Sequence, residues 1–397
     1  MLESCNITPH LVAIIKEPLV TASSKKRLSS MESSTFTMFN LLTSGQLTSK
    51  AVYIVAKLGI ADYLKDGPKN IEGLAEETKT HPNSLYRLSR MLASIGIFAE
   101  TKVGGIEEHT NQRFELTPMA SLLLSETKDS IRNFALLFGL ESFKKAIDDL
   151  LYSIETGESS FKHANGLDMY EYMQQNQKDA QIFNGAMTSL TSSYVSSISS
   201  MYDFSRFNTI IDIGGGQGTL LSTILKDNPK LQGILFDLPH AIESARVYIK
   251  GFANSNDNNN DILSRCKLID GDFFKSIPVV DADGYIIKNV ILNWDDEAAT
   301  VILKNCLQAM KTTSSKHTKR KINARLLVID IIMPESSEPF IGKFTDILIL
   351  ALTRKGRIRT EIEFRNLLDS SGFDTVNIIR SHDPVNPLSI IEAMPSK

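Results

Sequence analysis

From Phe36 onward, apolar residues recur at helical spacing through Met38, Leu41, Leu42, Leu47, Ala51, Val52, Val55 and Leu58. The pattern predicts a first buried helix, punctuated by Gly59 and Gly67-Pro68. Residues 70–78 read as a short helix and His81-Pro82-Asn83 as a turn. Residues 84–94 follow as a helix with Leu85, Leu88, Met91 and Leu92 on one face. Two short strands, 97–100 and 113–116, flank Gly104-Gly105. Helix, turn, helix, hairpin is a winged-helix pattern. Its second helix carries only Arg87 and Arg90 as basic residues, beside acidic Glu72, Glu76 and Glu77. That balance favours a structural or dimerisation role over contact with DNA.

Residues 119–205 hold several helices: an amphipathic one over 133–151, a short one over 169–173, and a long one over 180–198. The last has Ile182, Phe183, Met187 and Leu190 on one side. Such a stripe suits either a packed core or a ligand cup. Some of these helices are expected to roof the site that follows.

From Phe207 the pattern changes to alternating strands and helices. Strands are predicted over 209–213, 232–236, 267–270, 283–288, 325–332 and 375–380. Helices are predicted over 218–226, 240–250, 296–310 and 361–371. This is a doubly wound α/β domain, whose ligand lies at the carboxyl ends of the strands. The Asn/Asp-rich stretch 254–261 and the basic stretch 312–321 read as solvated loops. Residues 19–35, rich in Ser, Thr and Lys, give no fold signal, and Met31 is an alternative start. The expected division is an extension without structure over 1–35, a winged-helix-like dimerisation domain over 36–125, a helical linker and substrate-pocket region over 126–205, and the α/β domain over 206–397.

Composition narrows the function classes. A hydrophobic content of 42% and a charged content of 22% suit a globular protein. A net charge of −3 argues against broad phosphate neutralisation, so no nucleic-acid partner is expected. Cys5, Cys266 and Cys306 lack any metal-ligand or paired spacing, so neither a metal site nor a disulfide is expected. No apolar run approaches the ~20 residues needed to span a bilayer, and residues 11–15 end at Lys16-Glu17-Pro18 without a basic leader. A cytoplasmic protein without membrane contact is the expectation.

The most informative segment is Gly214-Gly215-Gly216-Gln217-Gly218, set between an apolar strand and a helix start. Glycines there let a ligand approach the backbone and its free N–H groups. Asp212 precedes the turn, where a carboxylate suits a cationic group. Asp237 ends the next strand, where it suits a ribose diol, and Gly271-Asp272-Phe273-Phe274 follows the third strand. The glycines are closer together than in the dinucleotide fingerprint. A cofactor with a cationic amino-acid tail and no phosphate fits better, and S-adenosylmethionine is the candidate.

Four segments carry a family resemblance: 211–218, Phe236-Asp237-Leu238-Pro239-His240, Gly271-Asp272-Phe273-Phe274 with Ile277-Pro278, and Lys288 through Glu297. In that order the chain resembles small-molecule O-methyltransferases of the plant caffeate/flavonoid type and their bacterial polyketide-tailoring relatives. The resemblance runs from about Phe36 to the C-terminus. It implies a winged-helix dimerisation domain before a Rossmann-like methyltransferase domain, and a homodimer. It also implies S-adenosylmethionine contacts at Gly214, Asp237, Asp272, Phe273 and Lys288, with Trp294 near the adenine. Asp212 and Gly216 join these from the reading of the turn. The resemblance implies that Phe183 and Met187 match positions lining the family's acceptor pocket, and Leu292 is a third candidate for acceptor contact.

The family's Lys-Trp-x-x-His-Asp-Trp segment, whose His is the general base, departs here. Counting from Lys288 to Trp294 puts Leu292 on the His position and Asn293 on the Asp position. Of the two acidic residues that orient that His, the first matches Asp330 and the second falls on Ile358. The losses agree, since an acid buried without its His partner costs free energy. Asp330 is the nearest replacement acid or base. Asp295 and Asp296 follow, although solvated helix-capping residues are their simpler reading. Arg354, Arg357 and Arg359 offer either a partner for an anionic acceptor or a solvated loop.

A phenol of pKa ~10 is mostly neutral near pH 7. A base ordinarily adds ~10²–10⁴-fold to its rate. An acceptor that is already anionic loses little without a base, and positioning then carries the rate. The expected function is therefore methyl transfer to a hydroxyl or carboxyl of a small secondary metabolite by positioning. Two alternatives stand. One is a non-methylating enzyme (pericyclase, decarboxylase or hydroxylase type) that binds the same cofactor. The other is a non-catalytic cofactor- or partner-binding protein, such as a winged-helix regulator.

Overall fold

The computed structural model describes residues 24–102, 112–127, 130–254, 261–316, 324–382 and 386–396. The chain divides into two units, Met1–Gly139 and Leu140–Lys397. The region expected as a linker over 126–205 is thus split, and its helices beyond Leu140 belong to the second unit.

In the first unit, helix α1 (Ser24–Leu58) is longer than the apolar pattern predicts. No proline lies between Pro18 and Pro68, so nothing breaks the helix before Gly59, whose φ of 68° ends it. Residues 24–35, expected without structure, are part of this helix. The expectation of a buried helix is corrected for its first half. Phe36, Phe39 and Leu42 are 68%, 67% and 76% exposed, and burial begins only at Ala51. Helical spacing identifies an apolar face but not what covers it.

The winged-helix pattern is present. Helix α2 (Ile71–Thr78) is capped by Asn70, whose side chain accepts from the Gly73 N–H. Helix α3 (Pro82–Ser94) starts with Pro82 in its first turn and buries Leu85, Tyr86 and Leu92. Strands β1 (Lys69–Asn70), β2 (Phe98–Lys102) and β3 (Gln112–Leu116) form an antiparallel sheet in the order β1-β3-β2. The predicted turn at Gly104-Gly105 lies outside the described residues.

In the second unit, helices α4 (Glu141–Asp148), α5 (Met169–Gln175) and α6 (Gln177–Met201) precede a seven-stranded sheet. Its strands are β4 (Thr209–Ile213), β5 (Gln232–Asp237), β6 (Cys266–Asp270), β7 (Gly284–Lys288), β8 (Arg325–Ile331), β9 (Phe373–Arg380) and β10 (Leu388–Pro395). Their order is β6-β5-β4-β7-β8-β10-β9. The first five are parallel, and β10 runs antiparallel to both neighbours. Helices α7 (Thr219–Asp227), α8 (Pro239–Asn254), α9 (Asp296–Lys316), α10 (Ile341–Leu352) and α11 (Glu361–Ser370) complete the unit. Buried side chains from both sheet faces form two clusters, one including Ile211, Tyr285 and Val328, the other Ile210, Ile286 and Leu327.

Strand β10 and helix α10 are among the elements that go beyond the predicted set. Strand β10 ends in Pro395, and its first six residues are all buried, so no in-out alternation marks it. Helix α10 contains the unbroken run Ile347-Leu348-Ile349-Leu350-Ala351-Leu352, which hides its period. The expected solvated loops are shorter than predicted. Helix α8 extends through Asn254 and α9 through Lys316, while 255–260 and 317–323 lie outside the described residues.

Candidate active site

The parallel strands β5, β4, β7 and β8 place Asp237, the glycine turn, Lys288 and Asp330 at one edge of the sheet. Strand order reverses direction between β4 and β7, the usual place for a ligand crevice. Gly214, Gly216 and Gly218 have φ values of 70°, 59° and 78°, conformations that strain any other residue. A Cβ on Gly214 would meet Val290 Cγ2 at 2.7 Å and Phe273 Cε1 at 3.5 Å. The turn is therefore closed on that side, while the space beside Gly216 is open.

Asp212 lies beneath the turn: a Cβ on Gly215 would sit 2.5 Å from its Oδ2. It is 1% exposed, and neither oxygen accepts a hydrogen bond from a described residue. Burial pushes its pKa up to about 7, against the pull of the Lys288 ammonium. An orphaned buried carboxylate is costly, and a cationic ligand at the turn would relieve it. Asp237 is folded toward the same turn. Its Oδ2 accepts the Gly216 N–H at 2.8 Å and its Oδ1 accepts the Leu238 N–H at 2.7 Å. Each oxygen keeps a lone pair for a diol. These residues fit S-adenosylmethionine: a carboxylate for its positive end, a second for its ribose, and bare backbone between them.

Asp272 accepts from the Phe274 N–H at 2.9 Å, and Asn305 donates to the carbonyls of Phe273 and Phe274 at 2.8 and 3.0 Å. The two rings meet Trp294 edge-on, with centroids 6.5 and 4.7 Å away. Trp294 stacks on Tyr170 of α5 at 5.9 Å, and Tyr170 meets Phe183 of α6 at 6.4 Å. The structure thus joins the predicted residues Phe273, Trp294 and Phe183 into one aromatic cluster. Tyr170 was missed, because a tyrosine on a short helix carries no spacing signal. Burial raises the pKa of its hydroxyl, which stays protonated at neutral pH.

Lys288 is held between two acids. Its Nζ donates to Thr191 Oγ1 at 3.1 Å. Burial lowers its pKa to about 8, opposed by Asp212 and Asp330. Asp330 has no exposed surface. Its Oδ2 accepts the Leu292 N–H at 3.2 Å and its Oδ1 its neighbour Ile331's N–H at 2.8 Å. Burial pushes its pKa up to about 7. This carboxylate grips the backbone of the very segment that carries Leu292.

Leu292 and Ile358 are 6% and 5% exposed. Their loops touch: a Cβ on Gly356 would sit 2.6 Å from the Leu292 carbonyl oxygen and 2.7 Å from the Asn293 carbonyl carbon, and would also strike Thr353 Oγ1. Backbone atoms cannot yield as a flexible side chain can. Gly356→Ala is therefore expected to destabilise the second unit by about 1–3 kcal/mol, read as a lower midpoint in denaturant at unchanged slope.

The arginine cluster corrects the reading of a solvated loop. Arg359 has no exposed surface. It donates to Asp296 Oδ1 at 2.9 and 2.7 Å, to the Ile291 carbonyl at 3.1 Å and to the Trp294 carbonyl at 2.8 Å. Arg357 pairs with Asp296 at 2.9 Å and Glu363 at 2.6 Å. Asp296 is thus an ion-pair partner rather than a solvated cap, whereas Asp295 does cap α9 by accepting the Ala298 N–H. Both arginines are spent on holding the 291–296 segment in place.

Known proteins are similar to this chain over most of its length. The model of the O-methyltransferase domain matches residues 147–374, and that of the O-methyltransferase dimerisation domain matches 41–126. A phenazine O-methyltransferase of Lysobacter antibioticus is 36% identical over 354 residues, covering 89% of this chain and 94% of the relative. The crystal structure of LaPhzM superposes with a TM-score of 0.79 at 35% identity, covering 93% of this chain and 99% of that one. The human N-acetylserotonin methyltransferase, at 19% identity and a TM-score of 0.78, covers 91% of this chain and 98% of its own and shares the fold. On the matched domains, the shared length and the cofactor-fitting turn, the chain belongs to the S-adenosylmethionine-dependent O-methyltransferase family.

Proposed function

We propose that this enzyme methylates an oxygen of a small, flat aromatic metabolite acidic enough to arrive ionised. The reading is supported by two aliphatic residues: Leu292 and Ile358, which the sequence register puts at the positions of the family's base and its partner, are both buried. Of the acids beside them, Asp330 has both oxygens engaged by backbone N–H groups, and Asp346 accepts the Ile358 N–H at 2.7 Å through Oδ1. The cofactor supplies an electrophilic methyl on a sulfonium. Asp212, Gly214, Gly216, Asp237, Asp272, Phe273, Lys288 and Trp294 hold it. Phe183, Met187, Leu292 and Tyr170 orient the acceptor by packing, for which flat rings offer large contact at small entropic cost. Asp330 is a positioning residue that sets the height of Leu292. The relative named for phenazine, a fused flat ring system, supports an acceptor of that shape.

The reading includes a homodimer formed through the N-terminal unit and a cytoplasmic site of action. The matched dimerisation domain and the exposed Phe36, Phe39 and Leu42 on α1 support the dimer. Among the described residues no helix is long and apolar enough to cross a membrane. That the relatives carry methyltransferase names favours transfer over the non-methylating alternative.

A panel of hydroxylated aromatics with radiolabelled cofactor tests the acceptor class. Phenols ionised below about pH 7 are expected to react at a rate nearly flat from pH 7 to 8.5. Neutral phenols are expected to be about 10²-fold slower or worse, with the rate climbing tenfold per pH unit. Equal rates for both classes at pH 7 would overturn the no-base mechanism.

A further inference from the structure

Helix α6 carries two kinds of residue on neighbouring faces. Phe183 joins the aromatic cluster, and Met187 lies one turn on. Thr188 and Thr191 are three residues apart and share a face. Thr188 Oγ1 donates to Oε1 of Gln217 at 2.5 Å. Nε2 of the same amide donates to Ser244 Oγ on α8 at 2.6 Å. A glutamine amide has one accepting and one donating end, and here both are engaged by different helices. The root of that side chain is the cofactor turn itself, between Gly216 and Gly218 at positive φ. One turn along α6, Thr191 Oγ1 accepts from Lys288 Nζ and donates to the Met187 carbonyl at 2.9 Å. The helix is therefore stapled to the cofactor side at two successive turns.

We infer that Gln217 is a positioning residue that couples the two ligands: it fixes the acceptor wall of α6 to the glycine turn, so that filling the cofactor site orders the acceptor site. The inference rests on the reading that Phe183 and Met187 face the acceptor. A packed helix linked to the turn by a short hydrogen bond follows the turn, whereas an unlinked one keeps its own fluctuations. Acceptor affinity at saturating cofactor contains this coupling, whereas cofactor affinity measured without acceptor does not; by reciprocity the same factor returns in cofactor affinity once acceptor is bound. The amide makes no use of its ends toward the cofactor.

The test uses the full-length chain with Gln217→Leu, Thr188→Val and the conservative Thr188→Ser. S-adenosylhomocysteine binding is measured by calorimetry, acceptor KM and kcat by turnover, and amide hydrogen exchange over 183–191 with and without S-adenosylhomocysteine. Wild type and Thr188→Ser are expected to gain protection over 183–191 on adding S-adenosylhomocysteine. Gln217→Leu and Thr188→Val are expected to lose most of that gain. In both, acceptor KM is expected to rise about five- to twentyfold, the range of a typical coupling, while the S-adenosylhomocysteine Kd moves less than about threefold. The double variant is expected to be no worse than Gln217→Leu alone, since the Thr188 bond is already lost there. Undiminished protection in both variants, or a Kd that rises as much as KM, overturns the inference. Should no acceptor in the panel react, the acceptor reading fails while the exchange arm still decides the coupling. Should Gln217→Leu not fold, the Thr188→Val and Thr188→Ser pair carries the same contrast.

Discussion

Asp212→Asn is expected to weaken S-adenosylmethionine binding about 10- to 100-fold and, at the same time, to stabilise the ligand-free protein. Both effects come from one fact. The carboxylate is buried under the glycine turn with no donor among the described residues, and burial raises its pKa to about 7. Between the ordinary 3.8 and about 7, the folded state keeps a proton that the unfolded chain has released. Stability from this group therefore falls as pH rises through that window and is lowest above it. Asparagine keeps the shape and removes the charge, so its gain is expected to be largest at pH 8 and near zero at pH 4. The cost it removes is at most on the order of 4 kcal/mol, which melting curves of the ligand-free protein at the two pH values would detect.

Cofactor binding has the opposite sign. A cationic ligand favours the ionised carboxylate, so below about pH 7 binding must first expel the proton. Wild-type affinity is expected to weaken toward tenfold per pH unit below that point, and the variant's affinity is expected to change little between pH 5.5 and 7.5. Asp237 and Lys288 face the same carboxylate. Lys288 titrates near 8, above this window, and Asp330, raised to about 7, lies on the far side of the lysine. A variant that binds as tightly as wild type at pH 7.5, or that melts lower at pH 8, would remove Asp212 from the role assigned to it.

The contrast between that site and its surroundings explains what the sequence made legible. Gly214, Gly216 and Gly218 are readable because each occupies a positive φ that only glycine accepts freely. Asp212 and Asp237 are readable because a charged residue at the end of an apolar strand needs a reason. The parallel strands followed from their unbroken apolar runs. Arg359 was not readable. Its partner Asp296 is 63 residues away in the chain, and nothing local distinguishes a fully buried arginine from its solvated neighbour Arg354. Thr188 and Tyr170 were hidden for a related reason. A threonine in a helix and a tyrosine on a short helix are ordinary until folding places Gln217 beside one and Trp294 beside the other. The exposed half of α1 marks a further limit: its period announces an apolar face, but among the described residues nothing covers it.

Reinstalling the missing base is expected to change the reaction more than any deletion. Leu292→His with Ile358→Glu should raise turnover of neutral phenols about 10²-fold, while acceptors that arrive ionised change less than about threefold. The geometry permits it. Histidine and glutamate are no larger than the residues they replace, so neither overpacks its site. The two loops already touch through Gly356, and Asp330 lies at the Leu292 backbone as the first acid of the family arrangement. Each single change is expected to be costly, because Ile358→Glu alone buries an unpaired acid and Leu292→His alone lacks its second partner. Together they should lose less stability than the sum of the singles, which a double-mutant cycle in denaturant would measure. The pH profile gives the sharpest reading. Wild type on a neutral phenol should climb with pH as the phenol itself ionises, whereas the double variant should level off near the imidazole pKa. If the variant gains nothing and wild type already turns over neutral phenols at pH 7, a base other than the family histidine operates here. Lys288, with its pKa lowered to about 8 and its Nζ on Thr191 of the acceptor helix, would then be the group to replace next.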